Sequence, residues 1–586
     1  MFDIFDALAL IGGLCLFLFG MNVMGDGLER RAGNSLKALL GKLTDSKIKG
    51  FLTGLGVTAV IQSSSATTVM VVGFVNSKVM TLKQSIGVIM GANIGTTVTA
   101  WLLSLGGISS DNIVMQLLKP MSFTPILALV GIAFTMFAKS SKKKDVGTIL
   151  LGFATLMFGM DAMSDAVKGL AEVPEFQNLF LAFTNPVLGV LVGALVTAVI
   201  QSSSASVGIL QALSATGAVS YAAAVPIIMG QNIGTCVTAM LSSFGANKNA
   251  RRASFVHLLF NVLGTTIWLT VFSVISLIFK PLILNEAASY LGIAVCHSIF
   301  NALCTIVLLP CSSLLEKLAY KMIPEGKAPE KIVELDDRLL ATPSLAVERC
   351  YLLTCKMATE AVEGFKLSIK ATESYSDEIA EKIRQIEDDT DHYEDILGTY
   401  LTKLSKSQVS EEDSATVTKL LKAIGDFERI SDHAVNVLES VEELREKEIE
   451  FSTGAKAELK LLCQATNDIL ALTEDSFVNS NLVTAYDVEP LEEVIDDIKT
   501  QLRNNHISRL REGACTVETG FIWGDLLTNF ERVSDHCSNI AIGLIDESEH
   551  TMNAHEAVKA IKENDSHYSE KYAEFSKKYS IASFAK

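Results

Sequence analysis

Long apolar runs separated by short polar connections fill the first 311 residues. Runs of about 20 apolar residues can cross a bilayer as helices, and such runs occupy 3–24, 85–106, 121–138, 146–168, 223–245, 253–279 and 286–311. Two further apolar stretches, 51–75 and 187–214, carry Gln-Ser-Ser-Ser near their centres. From 344 onward apolar residues recur at heptad-like spacing among many charges, which predicts amphipathic helices rather than spans. The pattern predicts an all-α chain, with a polytopic membrane half followed by a soluble helical half.

The membrane half repeats itself. TAVIQSSSA at 58–66 recurs letter for letter at 197–205, and IMGANIGTTVTA at 89–100 recurs as IMGQNIGTCVTA at 228–239. FGMNVM at 19–24 recurs as FGMDAM at 158–163, and Asp26 is matched by Asp165. Every pair is offset by 139 residues, which implies a tandem duplication. Between the two long blocks, 67–88 and 206–227 agree at no position. The letters retained in both copies are Gln, Ser, Asn, Gly and Thr, which points to a site built from both copies.

Charge sharpens this picture. Residues 1–332 hold 22 Lys and Arg against 15 Asp and Glu, while the remainder holds 27 against 51. Of the 39 glycines, 31 precede residue 333. The change in composition sets a boundary near 325–340, with PEGKAPEK (324–331) as linker. An acidic flank (Asp3, Asp6) argues against reading the first apolar run as a signal peptide. The ten cysteines form no CxxC and no paired framework, so reduced, buried thiols are expected.

Loops 26–50, 76–84, 139–145, 246–252 and 312–332 carry 19 Lys and Arg, against three (Lys119, Lys168, Lys280) in the other loops. The positive-inside rule puts the 19 in the cytoplasm. Both flanks of 51–75 are then cytoplasmic, so that segment dips in and returns. Three crossings separate the copies, so the second copy is upside down and 187–214 dips from the outside. The fold expected is an inverted repeat with two re-entrant helical hairpins. Repeat 1 covers about 1–138, repeat 2 about 146–279, and an additional helix at 286–311 brings the C-terminus to the cytoplasm.

Inverted repeats place substrate sites near the midplane, where broken helices meet. Non-helical backbone survives there only where protein or water satisfies it. Gln62, Ser63, Ser64 and Ser65, and their counterparts Gln201, Ser202, Ser203 and Ser204, lie mid-hairpin and can end one helix and start another. A half-helix N-terminus then presents N–H groups and positive dipole to an anion. Asn93 and Thr96, with Asn232 and Thr235, predict a second polar break in each crossing helix and oxygen donors for Na⁺. Residues 51–75, 85–106, 187–214 and 223–245 contain no Lys, Arg or His, so an anionic substrate would need helix dipoles and co-bound cations. Close packing by Ser, Gly and Thr is the competing reading of these motifs. Asp26, Asp161 and Asp165 read as interfacial anchors, with a proton or sodium role as the alternative. His257/Asn261 and His297/Asn301 read as interhelical hydrogen bonding, with a proton relay as the alternative.

Two QSSS motifs, each followed by GxNIGT, resemble the sodium–phosphate cotransporter family over about residues 1–315. The resemblance implies that inorganic phosphate and sodium ions bind at the QSSS turns with Thr67 and Ser206. It also draws in Thr97, whose counterpart is Cys236, while Gln231 replaces Ala92. Proton coupling, another oxyanion, export, and a membrane-tethered phosphate sensor remain alternatives. No P-loop, nucleophile elbow or His-rich metal site is present, so no enzyme is expected, and no nucleic-acid partner.

The C-terminal half repeats as well. GDFERISDHAVN at 425–436 matches TNFERVSDHCSN at 528–539, and IEDDTDHYEDIL at 386–397 parallels LEEVIDDIKTQL at 491–502. Two three-helix bundles fit the length. Glu387/Asp391, Glu428/Asp432, Glu493/Asp497 and Glu531/Asp535 are i, i+4 pairs, each on one helix face. Two such faces meeting could chelate a divalent or transition metal; the alternative is a solvated acidic face partnered by Arg429 and Arg532. This half resembles the PhoU domain, which implies a phosphate-signalling role. The domains expected are 1–315 for transport, a linker at 316–340, a cytoplasmic PhoU-like domain at 341–570 and a tail at 571–586. A homodimer and a cytoplasmic regulatory partner are left open.

Overall fold

In the computed structural model residues 3–41, 46–107, 120–168, 182–324, 335–407, 409–549 and 566–580 are described, with 170, 173, 175, 176 and 178. Lys42, Lys119, residues 325–334 of the predicted linker and the last six residues of the predicted tail lie outside the described residues. Among the described residues every regular element is a helix. The chain forms two compact units, 1–346 and 347–586.

The first unit opens with α1 (Ile4–Gly41). Two half-length helices, α2 (Lys47–Ile61) and α3 (Ser64–Asn76), follow. Next come α4 (Leu82–Gly95), α5 (Thr97–Ser104) and α6 (Pro120–Phe137). The second copy holds α7 (Ser141–Val167), the half-length α8 (Pro186–Ile200) and α9 (Ser203–Ser214), α10 (Tyr221–Ser242) and α11 (Lys248–Ile278). The unit ends with α12 (Tyr290–Leu308), α13 (Ser312–Met322) and a 3-10 turn at Asp337–Ala341. Seven helical stretches among the described residues are long and apolar enough to cross a membrane. Limbs of 15, 13, 15 and 12 residues in α2, α3, α8 and α9 each rise about 20 Å, short of the roughly 30 Å hydrocarbon core. They therefore act as hairpin limbs.

Local chemistry sets the ends of these helices. Thr81 and Gln84 form a capping box at the start of α4. Asn185 caps α8, with Pro186 at its first position. Asn247 caps α11 by accepting from Ala250 N at 2.9 Å.

Glycines bring the duplicated helices together. On α1 and α7, a Cβ at Gly20 would lie 2.2 Å from Leu156 N, and one at Gly159 would lie 2.3 Å from Phe17 N. The duplicated FGM motif is thus a packing seam between the first helices of the two copies. Phe17, Met21, Met24, Met157, Met160 and Met163 fill the adjoining core.

The second unit contains α14 (Pro343–Glu373, whose first residues belong to the first unit), α15 (Asp377–Ser405) and α16 (Glu411–Glu446). A matching set follows: α17 (Thr453–Val478), α18 (Leu482–Arg511) and α19 (Val517–Glu549). A last helix, α20 (Ser566–Lys578), packs on α18. The two ERxSDH helices, α16 and α19, pack against each other.

Candidate functional site

The breaks in the two hairpins have the same backbone. Gln62 (φ 60°) and Gln201 (φ 59°) both take the left-handed conformation and end α2 and α8. Ser63 and Ser202 then cap α3 and α9, accepting from Ala66 N and Ala205 N at 3.2 Å each. The break is therefore Gln-Ser. Ser64 and Ser65, like Ser203 and Ser204, form the first turn of the second limb. Both limbs start where the N–H groups and the positive dipole are uncompensated.

The two copies meet at these breaks. Ser65 Oγ donates to the carbonyl of Gln201 at 3.2 Å. Ser204 Oγ donates to Thr99 Oγ1 at 3.3 Å, and Thr99 donates to Gln62 Oε1 at 2.8 Å. A polar thread thus joins both QSSS motifs through Thr99, a residue the sequence reading passed over although it lies within the duplicated VTA. Gln62, Ser64, Ser203, Ser204 and Thr99 are buried, while Ser63, Ser65 and Ser202 are partly open and Gln201 is exposed.

The copies differ one turn further in. Thr58 Oγ1 donates to Thr67 Oγ1 at 3.0 Å, whereas the counterparts Thr197 and Ser206 have buried hydroxyls with no hydrogen-bond partner among the described residues. Gln231 Oε1 is also buried and unpaired. Buried polar groups are normally paired, so these three oxygens beside the second break stand out among the described residues.

The GxNIGT motifs depart from expectation. α10 runs unbroken through Asn232 and Thr235, and in the first copy only Thr96 separates α4 from α5, with helical φ and ψ. The side chains bond back to their own helices. Thr96, Thr235 and Asn232 donate to the i−4 carbonyls of Ala92, Gln231 and Ile228, and Thr97 donates to Ile94 O. The glycines serve packing. A Cβ at Gly91 would sit 2.0 Å from Phe51 O, and one at Gly230 would sit 2.0 Å from Val190 O. The motif seats each hairpin's first limb on the crossing helix.

Asn93 reaches outward instead, donating to Asn261 Oδ1 on α11 at 3.2 Å. Asn261 thus makes the interhelical bond expected of it. Both ring nitrogens of His257 and of His297 are buried without hydrogen-bond partners, so the histidines do not take that role among the described residues. Asp26 and Asp165 are exposed, and Asp165 pairs with Lys168 at 2.6 Å.

In the second unit the four acidic pairs fare differently. Burial and the neighbouring Asp432 push the Glu428 carboxyl up to about 7, and burial and Asp432 also raise Glu387. The first copy therefore brings α15 and α16 acids together with little compensation beyond Arg429, which lies 3.5 Å from both Glu428 and Asp432. In the second copy Tyr568 and Tyr572 on α20 donate to Glu493 at 2.5 Å and Asp497 at 2.6 Å. Lys499 pairs with Glu531 at 2.7 Å, and burial with Glu531 raises Asp535. No group of three His, Cys, Asp or Glu among the described residues is arranged to hold a metal. The SDH histidines serve the contact between α16 and α19, with His433 Nδ1 2.8 Å from Asn529 Oδ1 and His536 Nδ1 2.9 Å from Asp426 Oδ1.

Glu428 makes a prediction about pH. Its folded-state value lies above the ordinary 4.5, so the stability it contributes is fully present below about 4.5 and is lost as pH rises through about 7. Glu428→Gln is expected to stabilise the second unit at pH 8 by about 1 kcal/mol after allowance for solvent screening, and by nearly nothing at pH 5. Calorimetry of the intact protein at the two pH values checks this; equal gains at both would refute it.

Comparison with known proteins gives two family matches. The Na+/Pi-cotransporter model matches 16–165 and 156–284. The PhoU domain model matches 354–441 and 459–542. YjbB of Escherichia coli (strain K12), named as a candidate inorganic phosphate export protein, is 24% identical over 550 residues, covering 92% of this chain and 97% of its own. Sodium-dependent phosphate transport protein 2A of Rattus norvegicus is 37% identical over 146 residues, 22% of this chain and 23% of its own. The crystal structure of PhoU from Streptococcus pneumoniae covers 36% of this chain and 99% of its own at 17% identity and a TM-score of 0.33.

Proposed function

The chain joins a Na+/Pi-cotransporter domain to a PhoU domain, and from that premise we propose that it carries inorganic phosphate across the cytoplasmic membrane together with sodium ions. The observation that carries this reading is the meeting of the two QSSS breaks, Ser65 to Gln201 at 3.2 Å. Two helix N-termini and six serines offer N–H and O–H donors to a phosphate. Residues 51–75, 85–106, 187–214 and 223–245 supply no cationic side chain, so the substrate's charge calls for a co-bound cation. The unpaired oxygens of Thr197, Ser206 and Gln231 are the hard donors that Na⁺ takes. Hairpins entering from opposite sides would let each side open in turn.

The loop charges favour a cytoplasmic PhoU-like domain with a regulatory role. In it Glu387, Asp391, Glu428 and Asp432 are the residues that would hold a metal cation, because their mutual repulsion is the least compensated. A bound divalent cation would supply positive charge there. Glu493, Asp497 and Glu531 suit a metal less, since tyrosine hydroxyls and Lys499 already engage them.

Export is the second reading of direction, favoured by the name of YjbB, which aligns along nearly the whole chain. The same site serves both directions and the gradients decide. Phosphate flux into proteoliposomes is expected to fall to background when choline replaces Na⁺ outside. Flux unchanged by that replacement would eliminate sodium coupling. Outward flux from loaded vesicles under a reversed Na⁺ gradient distinguishes the directions.

A further inference from the structure

The segment that leaves the membrane half is clamped to one hairpin. Asp336 is 2% exposed and accepts from Asn76 Nδ2 at 2.6 Å. Arg338 Nη1 donates to both Asp336 carboxylate oxygens, at 2.8 and 3.0 Å. The rest of the Arg338 guanidinium caps the end of α10, with Nε donating to the carbonyl of Ser242 and Nη2 to that of Phe244 at 3.0 Å. Leu339 is fully buried, and its Cδ2 lies 3.1 Å from where a Cβ on Gly73 would stand. Asn76 also holds the start of α11, since Asn247 N donates to Asn76 Oδ1 and Asn247 Nδ2 to Asn76 O, each at 2.7 Å.

These contacts gather three helix ends. Gly73 and Asn76 close α3, the limb that begins at the Ser63 cap in the candidate site. Ser242 closes α10 and Asn247 opens α11, both from the other copy. A buried ion pair of this kind adds little net stability, yet losing one partner is costly. That combination suits an element with two discrete arrangements rather than a static brace.

We propose that Asp336, Arg338 and Leu339 form a latch that positions α3. Engaged, it holds the far end of the hairpin limb against α10 and α11 and opposes the limb movement that opens the site. The inference rests on the transport reading above. The latch lies within the first unit, and the chain runs on from it through Thr342 into α14. The residues are positioning residues; they do not touch phosphate.

The test perturbs the full-length chain in proteoliposomes in two opposite directions. Arg338→Ala removes the contacts to Asp336, Ser242 and Phe244. Gly73→Cys with Leu339→Cys, oxidised, ties the segment to α3, and the wild-type chain with its ten unpaired cysteines is oxidised in parallel. Arg338→Ala is expected to speed hydrogen exchange of the α3 amides and to raise maximal phosphate flux at least about fivefold with KM unchanged. The oxidised double-cysteine chain is expected to lose flux by a similar factor and to regain it with reductant. The latch is overturned if Arg338→Ala leaves α3 exchange unchanged, if exchange rises without a change in flux, if the cross-link does not form, or if the cross-linked chain transports normally. A wild-type chain that moves no phosphate defeats the transport reading instead, while α3 exchange and cross-link yield still report on the latch.

Discussion

Replacing Ser65 and Ser204 together by alanine is expected to abolish phosphate flux while leaving the folded protein in place. The two residues are counterparts, 139 positions apart, each in the first turn of a hairpin's second limb. Their hydroxyls make the cross-copy contacts, to the Gln201 carbonyl and to Thr99. As donors to a bound phosphate the two hydroxyls would each contribute roughly 1.5–3 kcal/mol, so losing both lowers transport efficiency by between about a hundredfold and ten thousandfold. Ser65 is partly open and Ser204, though buried, gives up one bond to a neutral hydroxyl, so only about 1 kcal/mol of folding stability goes with each. Thr148→Ala, which removes a bond within α7 to Lys144 O, is the control and is expected to transport normally. Wild-type flux in the double variant would take the paired breaks out of the binding site and strengthen the reading of a tethered sensor.

Much of this arrangement was legible from repetition. An offset of 139 residues with no gap marked equivalent positions, and the structure gives Gln62 and Gln201 the same left-handed backbone. What repetition could not show was why each letter was retained. Asn, Gly and Thr in GxNIGT read as a broken helix because those residues satisfy backbone outside helices. Here Thr96, Thr235 and Asn232 bond back to i−4 carbonyls, and Gly91 and Gly230 admit a neighbouring backbone. Thr99, though duplicated as Thr238, escaped notice because nothing in the sequence sets it apart from its neighbours Thr96 and Thr97; its distances to Gln62 and Ser204 single it out. In the second unit, acids at i, i+4 spacing read alike in all four places. Tyr568 and Tyr572 approach Glu493 and Asp497 from 75 residues away in sequence, a pairing no local pattern encodes. Residues 335–340 fell within the expected linker, 316–340, because the boundary rested on a change of composition alone. Asp336 and Arg338 neutralise each other, which allows both to pack against helix ends.

Adding one methyl group to the hairpin seams should cost the fold more than any change at the site. Gly91→Ala places a Cβ 2.0 Å from Phe51 O and 2.8 Å from Leu55 N, and Gly230→Ala places one 2.0 Å from Val190 O and 2.9 Å from Ala194 N. The obstructing atoms are helix backbone, so no side chain can swing away and the limb must separate from the crossing helix. Overpacking of this kind costs about 3 kcal/mol or more, and in a membrane, where close approach is itself the source of helix affinity, the contact along the seam is lost as well. Gly12→Ala meets no atom within 4 Å on α1 and should be neutral to stabilising by about 1 kcal/mol, since alanine is the better helix former. Thermal unfolding of the detergent-purified variants, read as the yield of monodisperse protein after heating, orders the three. Because the seam is duplicated, the first two should fall together. Loss in only one copy would mean that the hairpins, though alike in sequence, are held to their crossing helices by different forces.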